Sequence, residues 1–129
     1  MILIDSSVWI AHLRGKLTPA TVKLEVAAAR EPLLLGDLIL LEVLQGATSE
    51  AHAHRIERAL RQYPLATLLE ADLATRAARN YRRLRGLGVT VRKTADIIIG
   101  TYCIDYRHTL LHDDRDFAPM QRHLGLKIL

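Results

Sequence analysis

Short, uninterrupted apolar runs constrain the fold of this chain more than any other feature of its sequence. Ile2–Ile4 and Leu33–Leu35 are entirely apolar, and Thr109–Leu111 is nearly so. A strand with one wet face alternates apolar and polar residues, whereas a continuous apolar run indicates a strand buried on both faces. Segments with helical spacing separate these runs, a pattern typical of a parallel sheet covered by helices. We therefore predict an α/β fold, a three-layer α/β/α sandwich with a short, mainly parallel central sheet.

Capping residues, glycines and prolines place the helices between these strands. Asp37 and Thr94 are expected to cap the helices that follow them. A last edge strand is predicted over Leu126–Leu129, while the pattern leaves open the type of the apolar stretch Leu65–Leu69. Neither a repeat nor a linker interrupts the chain, so we expect one domain over residues 1–129. The predicted helices run from Val8 to about Gly15, Thr18 to Arg30, Leu38 to Gln45, Ser49 to Gln62, Ala71 to Leu87, Ala95 to Tyr106 and Pro119 to His123.

The composition argues against a membrane protein and against a disulfide scaffold. No apolar run reaches the roughly 20 residues of a membrane-spanning helix. The segment Met1–Asp5 lacks the basic stretch and the long apolar core of a signal peptide. Cys103 is the only cysteine, which excludes an intramolecular disulfide and a cysteine metal site. We expect a cytoplasmic protein that does not bind membranes.

Basic residues are concentrated in one predicted helix and the loop after it. The chain has 18 Lys and Arg against 14 Asp and Glu, and seven of the basic residues fall between Arg76 and Lys93. Arg76, Arg79 and Arg83 recur at intervals of three and four residues, so they share a helix face that can follow the phosphate backbone of a nucleic acid. A solvated helix face is the alternative interpretation. Aromatic residues make up only 5% of the chain, so we expect backbone contacts rather than base stacking.

Two acidic residues stand where their apolar surroundings predict something else. Asp5 directly follows the first strand, and ligands of open parallel sheets bind beyond the carboxyl ends of the strands. Asp5 could instead serve only as the cap of the next helix. Glu42 interrupts the apolar helix Leu38–Leu44, where an unpaired buried charge is very unfavourable. The alternative places Glu42 on a narrow exposed stripe of that helix.

Further acidic residues lie near the start of a late helix and after the third strand. Asp96 is in the first turn of an otherwise apolar helix, where the helix dipole alone would favour an anion. Asp105 lies about 900° further around that helix and is expected to be an ordinary solvated acid. The loop after Leu111 contains three more acids, Asp113, Asp114 and Asp116.

Taken together, these acids predict a site for a hard divalent cation. Carboxylate oxygens without Cys and without a His pair at helical spacing suit Mg²⁺ or Mn²⁺ and fit Zn²⁺ poorly. His112 is adjacent to the acids and could support them indirectly. Ser6 and Ser7 have no base at a recognisable spacing, and the sequence contains no glycine-rich phosphate loop.

Four segments in order along the chain resemble the acidic motifs of PIN domains, and in particular of the VapC toxins. They are Ile2–Ile10 with Asp5, Leu41–Gly46 with Glu42, Thr94–Gly100 with Asp96, and Leu110–Phe117 with Asp114. The resemblance implies a PIN-like fold and a metal-dependent endoribonuclease that is the toxin of a VapBC toxin–antitoxin pair. It also implies a VapB-like antitoxin that inserts into the active-site groove, and a homodimer.

The resemblance implies a role for each matching residue. Asp5, Glu42, Asp96 and Asp114 would be catalytic; the metal would be held by Asp5, Asp96, Asp114 and Asp116. Asp113 is the alternative to Asp114 as fourth acid, and Ser7 would support Asp5. A metal-activated water would hydrolyse the phosphodiester and leave a 5′-phosphate, with the number of metals and the target RNA left open.

Other functions remain compatible with an acidic cluster at a parallel sheet edge. A receiver-type signalling domain gathers acids around Mg²⁺, but it needs a phospho-acceptor Asp and a Lys that this sequence does not clearly pair. A structure-specific DNA nuclease of the same fold and a PIN domain that only binds a partner are the remaining alternatives.

Overall fold

The computed structural model describes residues 1–129, and its centre is a five-stranded parallel sheet. The strands are β1 (Ile2–Ile4), β2 (Leu33–Gly36), β3 (Leu65–Ala66), β4 (Thr109–Leu111) and β5 (Lys127–Ile128). Their spatial order is β3-β2-β1-β4-β5, and every neighbouring pair is parallel. The predicted α/β fold is confirmed. The apolar stretch Leu65–Leu69, whose secondary structure the sequence pattern leaves open, contributes β3. The last strand, β5, lies at the sheet edge as predicted.

Seven helices connect and cover these strands. They are α1 (Ser6–Leu13), α2 (Pro19–Ala28), α3 (Asp37–Gln45), α4 (Glu50–Leu60), α5 (Ala71–Gly86), α6 (Thr94–Tyr106) and α7 (Ala118–Leu124), with a 3-10 turn at Arg115–Phe117 before α7. Helix α1 contacts α2 and α3, whereas α5 contacts α6 and α7. Because all of β1 is buried, both faces of the sheet are covered, as the uninterrupted apolar runs predict. None of the helices combines the length and the apolarity needed to span a bilayer.

The predictions that Asp37 and Thr94 cap their helices are wrong. Both residues are the first residues of their helices, and the capping positions belong to Gly36 and Lys93. Asp37 Oδ1 instead accepts hydrogen bonds from the backbone N–H groups of Leu38 (2.8 Å) and Leu68 (3.0 Å). This carboxylate therefore ties the start of α3 to the segment after β3.

Large apolar side chains from several elements form the core that packs against the sheet. Trp9, Ile39, Leu73, Ile99 and Phe117 are all essentially inaccessible to solvent and come from different elements on both sides of the sheet. This packing holds the polar segments that follow β1 and β4 on a rigid support.

The chain order of the strands creates a crevice between β1 and β4. From β1 the chain moves to β2 and β3 on one side of the sheet, whereas β4 and β5 lie on the other side. When the loops after two adjacent strands run in opposite directions, a crevice forms at the carboxyl ends of those strands. In open α/β sheets, ligands bind in this crevice. In this chain, Asp5 directly follows β1, and the acidic loop directly follows β4.

Candidate active site

Asp5 lies where this crevice is expected, directly after the end of β1. Its backbone N–H donates to the carbonyl of Leu111 over 2.9 Å, so the end of β1 is joined directly to the end of β4. Asp5 Oδ2 accepts hydrogen bonds from the N–H of Ser7 (3.1 Å) and from its hydroxyl (2.6 Å). The residue is only 4% exposed. Burial raises the pKa of Asp5, while the hydrogen bonds from Ser7 oppose this rise and the charge of Asp114 adds to it.

Asp5 is thus both a helix cap and part of the crevice. It occupies the capping position of α1, as the simpler interpretation predicts. However, its Oδ2 accepts both cap hydrogen bonds. The two interpretations of the sequence are compatible, because one carboxylate has two oxygens.

Asp96 faces the same crevice from the first turn of α6. It is 3% exposed, and its Oδ2 is buried without a hydrogen-bond partner. Burial, followed by the charges of Asp5 and Asp114, raises the pKa of Asp96 to about 7, and Lys93 acts in the opposite direction. Such an unsatisfied buried oxygen is unfavourable unless another group binds it.

Asp114 and Asp116 complete a compact set of carboxylates with Asp96. One oxygen from each of the three residues lies within 4.8 Å of the other two. Asp114 Oδ1 accepts a 2.9 Å hydrogen bond from the N–H of Asp116 and so caps the 3-10 turn. This turn brings two acids of a four-residue loop segment to the same side.

His112 and Ser7 hold the acidic loop in place. His112 Nδ1 accepts a 3.0 Å hydrogen bond from the N–H of Asp114, and its ring packs against Phe117. The Ser7 hydroxyl, which donates to Asp5, accepts a 3.1 Å hydrogen bond from the N–H of Asp113. Burial lowers the pKa of His112 despite the surrounding acids, which favours the neutral ring that can accept this hydrogen bond.

Asp113 and Asp114 are separated by this geometry. Asp113 is exposed and contributes its backbone N–H, whereas the side chain of Asp114 joins the acidic set. The structure therefore brings the side chain of Asp114, and not that of Asp113, to Asp96, while the role of Asp114 as fourth acid stays a prediction.

Glu42 approaches the acidic set from α3. It is half-buried, and its Oε1 is buried without a hydrogen-bond partner. Burial raises the pKa of Glu42, the charge of Asp5 raises it further, and Lys93 lowers it. Glu42 is thus neither fully exposed nor fully buried, and its catalytic role stays a prediction.

Lys93 is the residue that the sequence did not reveal. It occupies the capping position of α6, and its Nζ lies 3.6 Å from Asp114 Oδ2. The charges of Asp114 and Asp96 raise the pKa of Lys93. In the sequence it was one of seven clustered basic residues, and only its position three residues before Asp96 could have distinguished it.

The predicted RNA-binding arginines differ from one another in the structure. Arg79 and Arg83 on α5 are exposed and make no ion pair. Arg76 is half-buried and forms an ion pair with Asp105 of α6, with Glu70 at 3.9 Å. Asp105 is therefore exposed, as expected, but it is held by a partner and not simply solvated.

The donor set of the crevice fits a hard divalent cation. The side chains there that can bind a cation offer carboxylate oxygens, and two of these oxygens, on Glu42 and Asp96, lack any hydrogen-bond partner. Clustered carboxylates repel one another, and a bound cation relieves that repulsion. Mg²⁺ and similar ions are bound by such oxygen ligands.

Comparison with known sequences gives full-length matches. The family model of the PIN domain matches residues 2–122. Ribonuclease VapC11 of Mycobacterium tuberculosis is 30% identical over 129 residues, covering 98% of this chain and 96% of that protein. The VapC ribonuclease Mb1587 of Mycobacterium bovis matches with the same identity and coverage.

Comparison with solved structures shows the same fold. VapBC2 from Rickettsia felis, solved bound to a DNA fragment from their promoter, aligns with 100% of this chain and 98% of the matched chain, with a TM-score of 0.79 and 14% identity. VapC20 from Mycobacterium tuberculosis, a Sarcin-Ricin loop cleaving toxin, aligns over 92% of this chain and 93% of its own, with a TM-score of 0.70 and 16% identity.

Proposed function

Because the chain belongs to the PIN domain family and matches VapC ribonucleases over its full length, we propose that it is a metal-dependent endoribonuclease and the toxin of a toxin–antitoxin pair. One observation carries the proposal: carboxylates from separate parts of the chain meet in one crevice, and two of their oxygens are left without partners. Family membership also excludes the alternative that the chain is a receiver-type signalling domain, since receiver domains belong to a different family.

In this proposal Asp5, Asp96, Asp114 and Asp116 hold Mg²⁺, with Mn²⁺ as a substitute. The spacing of three of these carboxylates and the unsatisfied oxygen of Asp96 support the assignment. When bound, the cation lowers the pKa of a coordinated water and stabilises negative charge on the phosphate that is attacked.

The remaining residues of the crevice either hold the metal-binding carboxylates in position or accept the proton of the attacking water. Glu42 accepts the proton of the attacking water at its unpartnered Oε1; its raised pKa makes it a stronger base than an exposed glutamate. Ser7 holds Asp5 in one orientation and also fixes the loop through Asp113. His112 fixes the backbone at Asp114.

Basic residues of α5 bring the RNA to an acidic site that would otherwise repel it. We assign this role to Arg79 and Arg83, which are exposed and free of ion pairs, with Arg76 as a weaker contributor because Asp105 already occupies it. Neutralising backbone phosphates releases counterions and gives binding that depends on salt but little on sequence.

The proposal extends to the partners of the chain. Residues 1–129 act as a single PIN-like nuclease domain in the cytoplasm. This domain forms a homodimer, and a VapB-like antitoxin inhibits it. Support comes from solved relatives of the same fold, several of which are VapBC complexes, such as those from Rickettsia felis and Haemophilus influenzae.

The decisive experiment is cleavage of total cellular RNA by purified protein freed of any antitoxin. Reactions contain Mn²⁺ or Mg²⁺, or EDTA, and Asp5→Asn is measured in parallel. Discrete products that require metal and are absent from the variant support the proposal, and mapping their ends tests for 5′-phosphates. Absence of cleavage by folded wild-type protein with either metal would overturn it in favour of a binding role.

A further inference from the structure

Lys93 is placed at the rim of the acidic crevice by the start of α6. It occupies the capping position of that helix, three residues before the buried Asp96. Its Nζ lies 3.6 Å from Asp114 Oδ2, yet 61% of its side chain is exposed. The ammonium group is thus in contact with one of the converging carboxylates and with solvent at the same time.

No other lysine or arginine pairs with these carboxylates. The only other ion pairs of the chain join Arg76 to Glu70 and to Asp105, at the contact between α5 and α6. The charge of Lys93 lowers the pKa of both Asp96 and Glu42, so its field reaches carboxylates that it does not touch. Lys93 is therefore the internal counter-cation of the crevice.

A counter-cation at a metal site has two consequences. Its ammonium stabilises the same carboxylates that a divalent cation binds, so the two compete for Asp114. Once a divalent cation neutralises Asp114, the lysine loses most of its attraction to that oxygen. It remains on a flexible stem at the mouth of the crevice, where an RNA phosphate must approach the acids.

We propose that Lys93 exchanges partners during the reaction: it pairs with Asp114 in the metal-free protein and binds a non-bridging oxygen of the scissile phosphate when the cation is bound. Lys93 then contributes a positive charge to the phosphate as negative charge develops there. The second half of this inference rests on the proposed ribonuclease function, whereas the first half concerns metal binding alone.

The test uses Lys93→Met, which keeps the length of the side chain and removes its charge, and Lys93→Arg, which keeps the charge. Arg92→Met is the matched control, because Arg92 is adjacent and exposed, makes no ion pair and loses the same charge. Two quantities are measured for each protein: the Mn²⁺ dissociation constant by calorimetry without RNA, and the single-turnover cleavage rate at saturating Mn²⁺.

The proposal expects these two quantities to move in opposite senses. Lys93→Met should bind Mn²⁺ about three-fold more tightly than wild type, the effect of removing one partly exposed ion pair. The same variant should cleave RNA at least about ten-fold more slowly. Lys93→Arg should stay close to wild type in Mn²⁺ binding, and Arg92→Met should stay close to wild type in both quantities.

Three outcomes would overturn the inference. Equal Mn²⁺ affinities for Lys93→Met and Arg92→Met would show that Lys93 does not compete with the cation for Asp114. A cleavage rate of Lys93→Met equal to that of wild type would show that Lys93 does not contact the scissile phosphate. Wild-type protein that binds Mn²⁺ but cleaves no RNA would refute both the proposed function and the contact of Lys93 with the phosphate. The Mn²⁺ titration would then still test whether Lys93 and the cation compete for Asp114.

Discussion

The hydroxyl of Ser7 donates a 2.6 Å hydrogen bond to Oδ2 of Asp5. The same oxygen of Ser7 accepts the backbone N–H of Asp113, in the loop that follows β4. One hydroxyl therefore fixes a carboxylate at the end of β1 and also the loop that carries Asp114 and Asp116. It is one of the contacts that set the relative positions of the two groups of acids, together with the hydrogen bond from the N–H of Asp5 to the carbonyl of Leu111.

Ser7→Ala should weaken both metal binding and cleavage. The substitution removes a donor from Asp5 and leaves the N–H of Asp113 without its partner, at a loss of about 1 kcal/mol in the free energy of unfolding. Ser49→Ala is the matched control, because Ser49 caps α4 with its hydroxyl and its loss also destabilises by about 1 kcal/mol. Thermal unfolding and Mn²⁺ titration of both variants check the prediction. Equal Mn²⁺ affinities in the two variants would contradict a role for Ser7 in the site.

Asp96→Asn should abolish cleavage and yet stabilise the metal-free protein at pH 8. The substitution removes a buried negative charge whose Oδ2 has no hydrogen-bond partner. Asp113→Asn makes the same chemical change at an exposed position nearby and should retain cleavage. The measurements are RNA cleavage and the midpoint of thermal unfolding in EDTA. Loss of cleavage in Asp113→Asn, with activity retained in Asp114→Asn, would exchange the assignments of these two acids.

The location of the site could be predicted from the sequence, because it depends on strand order more than on side-chain detail. The apolar runs before Asp5 and before the acidic loop identify two buried parallel strands, and carboxyl ends of adjacent parallel strands meet at one edge of the sheet. Glu42 was recognisable because a carboxylate inside an apolar helix requires a special environment.

Individual side-chain pairs between separate elements could not be predicted. The pair of Lys93 and Asp114 depends on how the start of α6 faces the loop after β4. Arg76 shares a helical spacing with Arg79, but the packing of α5 against α6 gives Arg76 a partner in Asp105, 29 residues away. Spacing within one helix contains no information about what the neighbouring helix presents.

Metal-free protein should lose stability as the pH rises towards 7. The pKa of Asp96 is about 7 in the folded protein, whereas an unfolded chain has an Asp pKa of about 4. Between these values the folded state binds more protons than the unfolded state, so the free energy of unfolding falls with rising pH and levels off above about 7. Urea unfolding in EDTA from pH 5 to 8 measures this slope, and Asp96→Asn should reduce it. A slope unchanged in the variant would mean that another group is responsible.

Metal affinity should show the opposite dependence on pH. A cation binds the deprotonated carboxylate of Asp96, so protons compete with it below pH 7 and binding releases protons. Calorimetric titration with Mn²⁺ in two buffers of different ionisation enthalpy detects this release. The affinity should fall from pH 7.5 to pH 6, and an affinity independent of pH over this range would place Asp96 outside the metal site.

Charge reversal on the exposed face of α5 should weaken RNA binding and reduce its dependence on salt. Arg79→Glu and Arg83→Glu each remove one phosphate contact, which should reduce the slope of log K against log salt by about 0.7 for single-stranded RNA. Arg76→Glu should instead destabilise the contact between α5 and α6, because it breaks the pair with Asp105. Arg30→Glu is a suitable control, since Arg30 lines a separate groove formed by α2 and the chain terminus. Binding is measured with a cleavage-deficient Asp5→Asn background, and unaltered slopes would show that this face is only solvated.

Gly100→Ala should disturb the site from a distance through Met120. Gly100 lies on α6 one turn after Asp96, and a Cβ there would overlap Sδ of Met120, which is completely buried on α7. Overpacking of this kind outweighs the helical preference of alanine, so we expect a net loss of about 1–2 kcal/mol in the free energy of unfolding. Helix α7 follows directly after the turn that contains Asp116, so its displacement should also lower Mn²⁺ affinity. Gly86→Ala, where a Cβ meets no atom within 4 Å, should leave Mn²⁺ affinity unchanged and should not lower the free energy of unfolding. If Gly100→Ala destabilised the protein but bound Mn²⁺ like wild type, the packing of α7 would not control the position of the acidic loop.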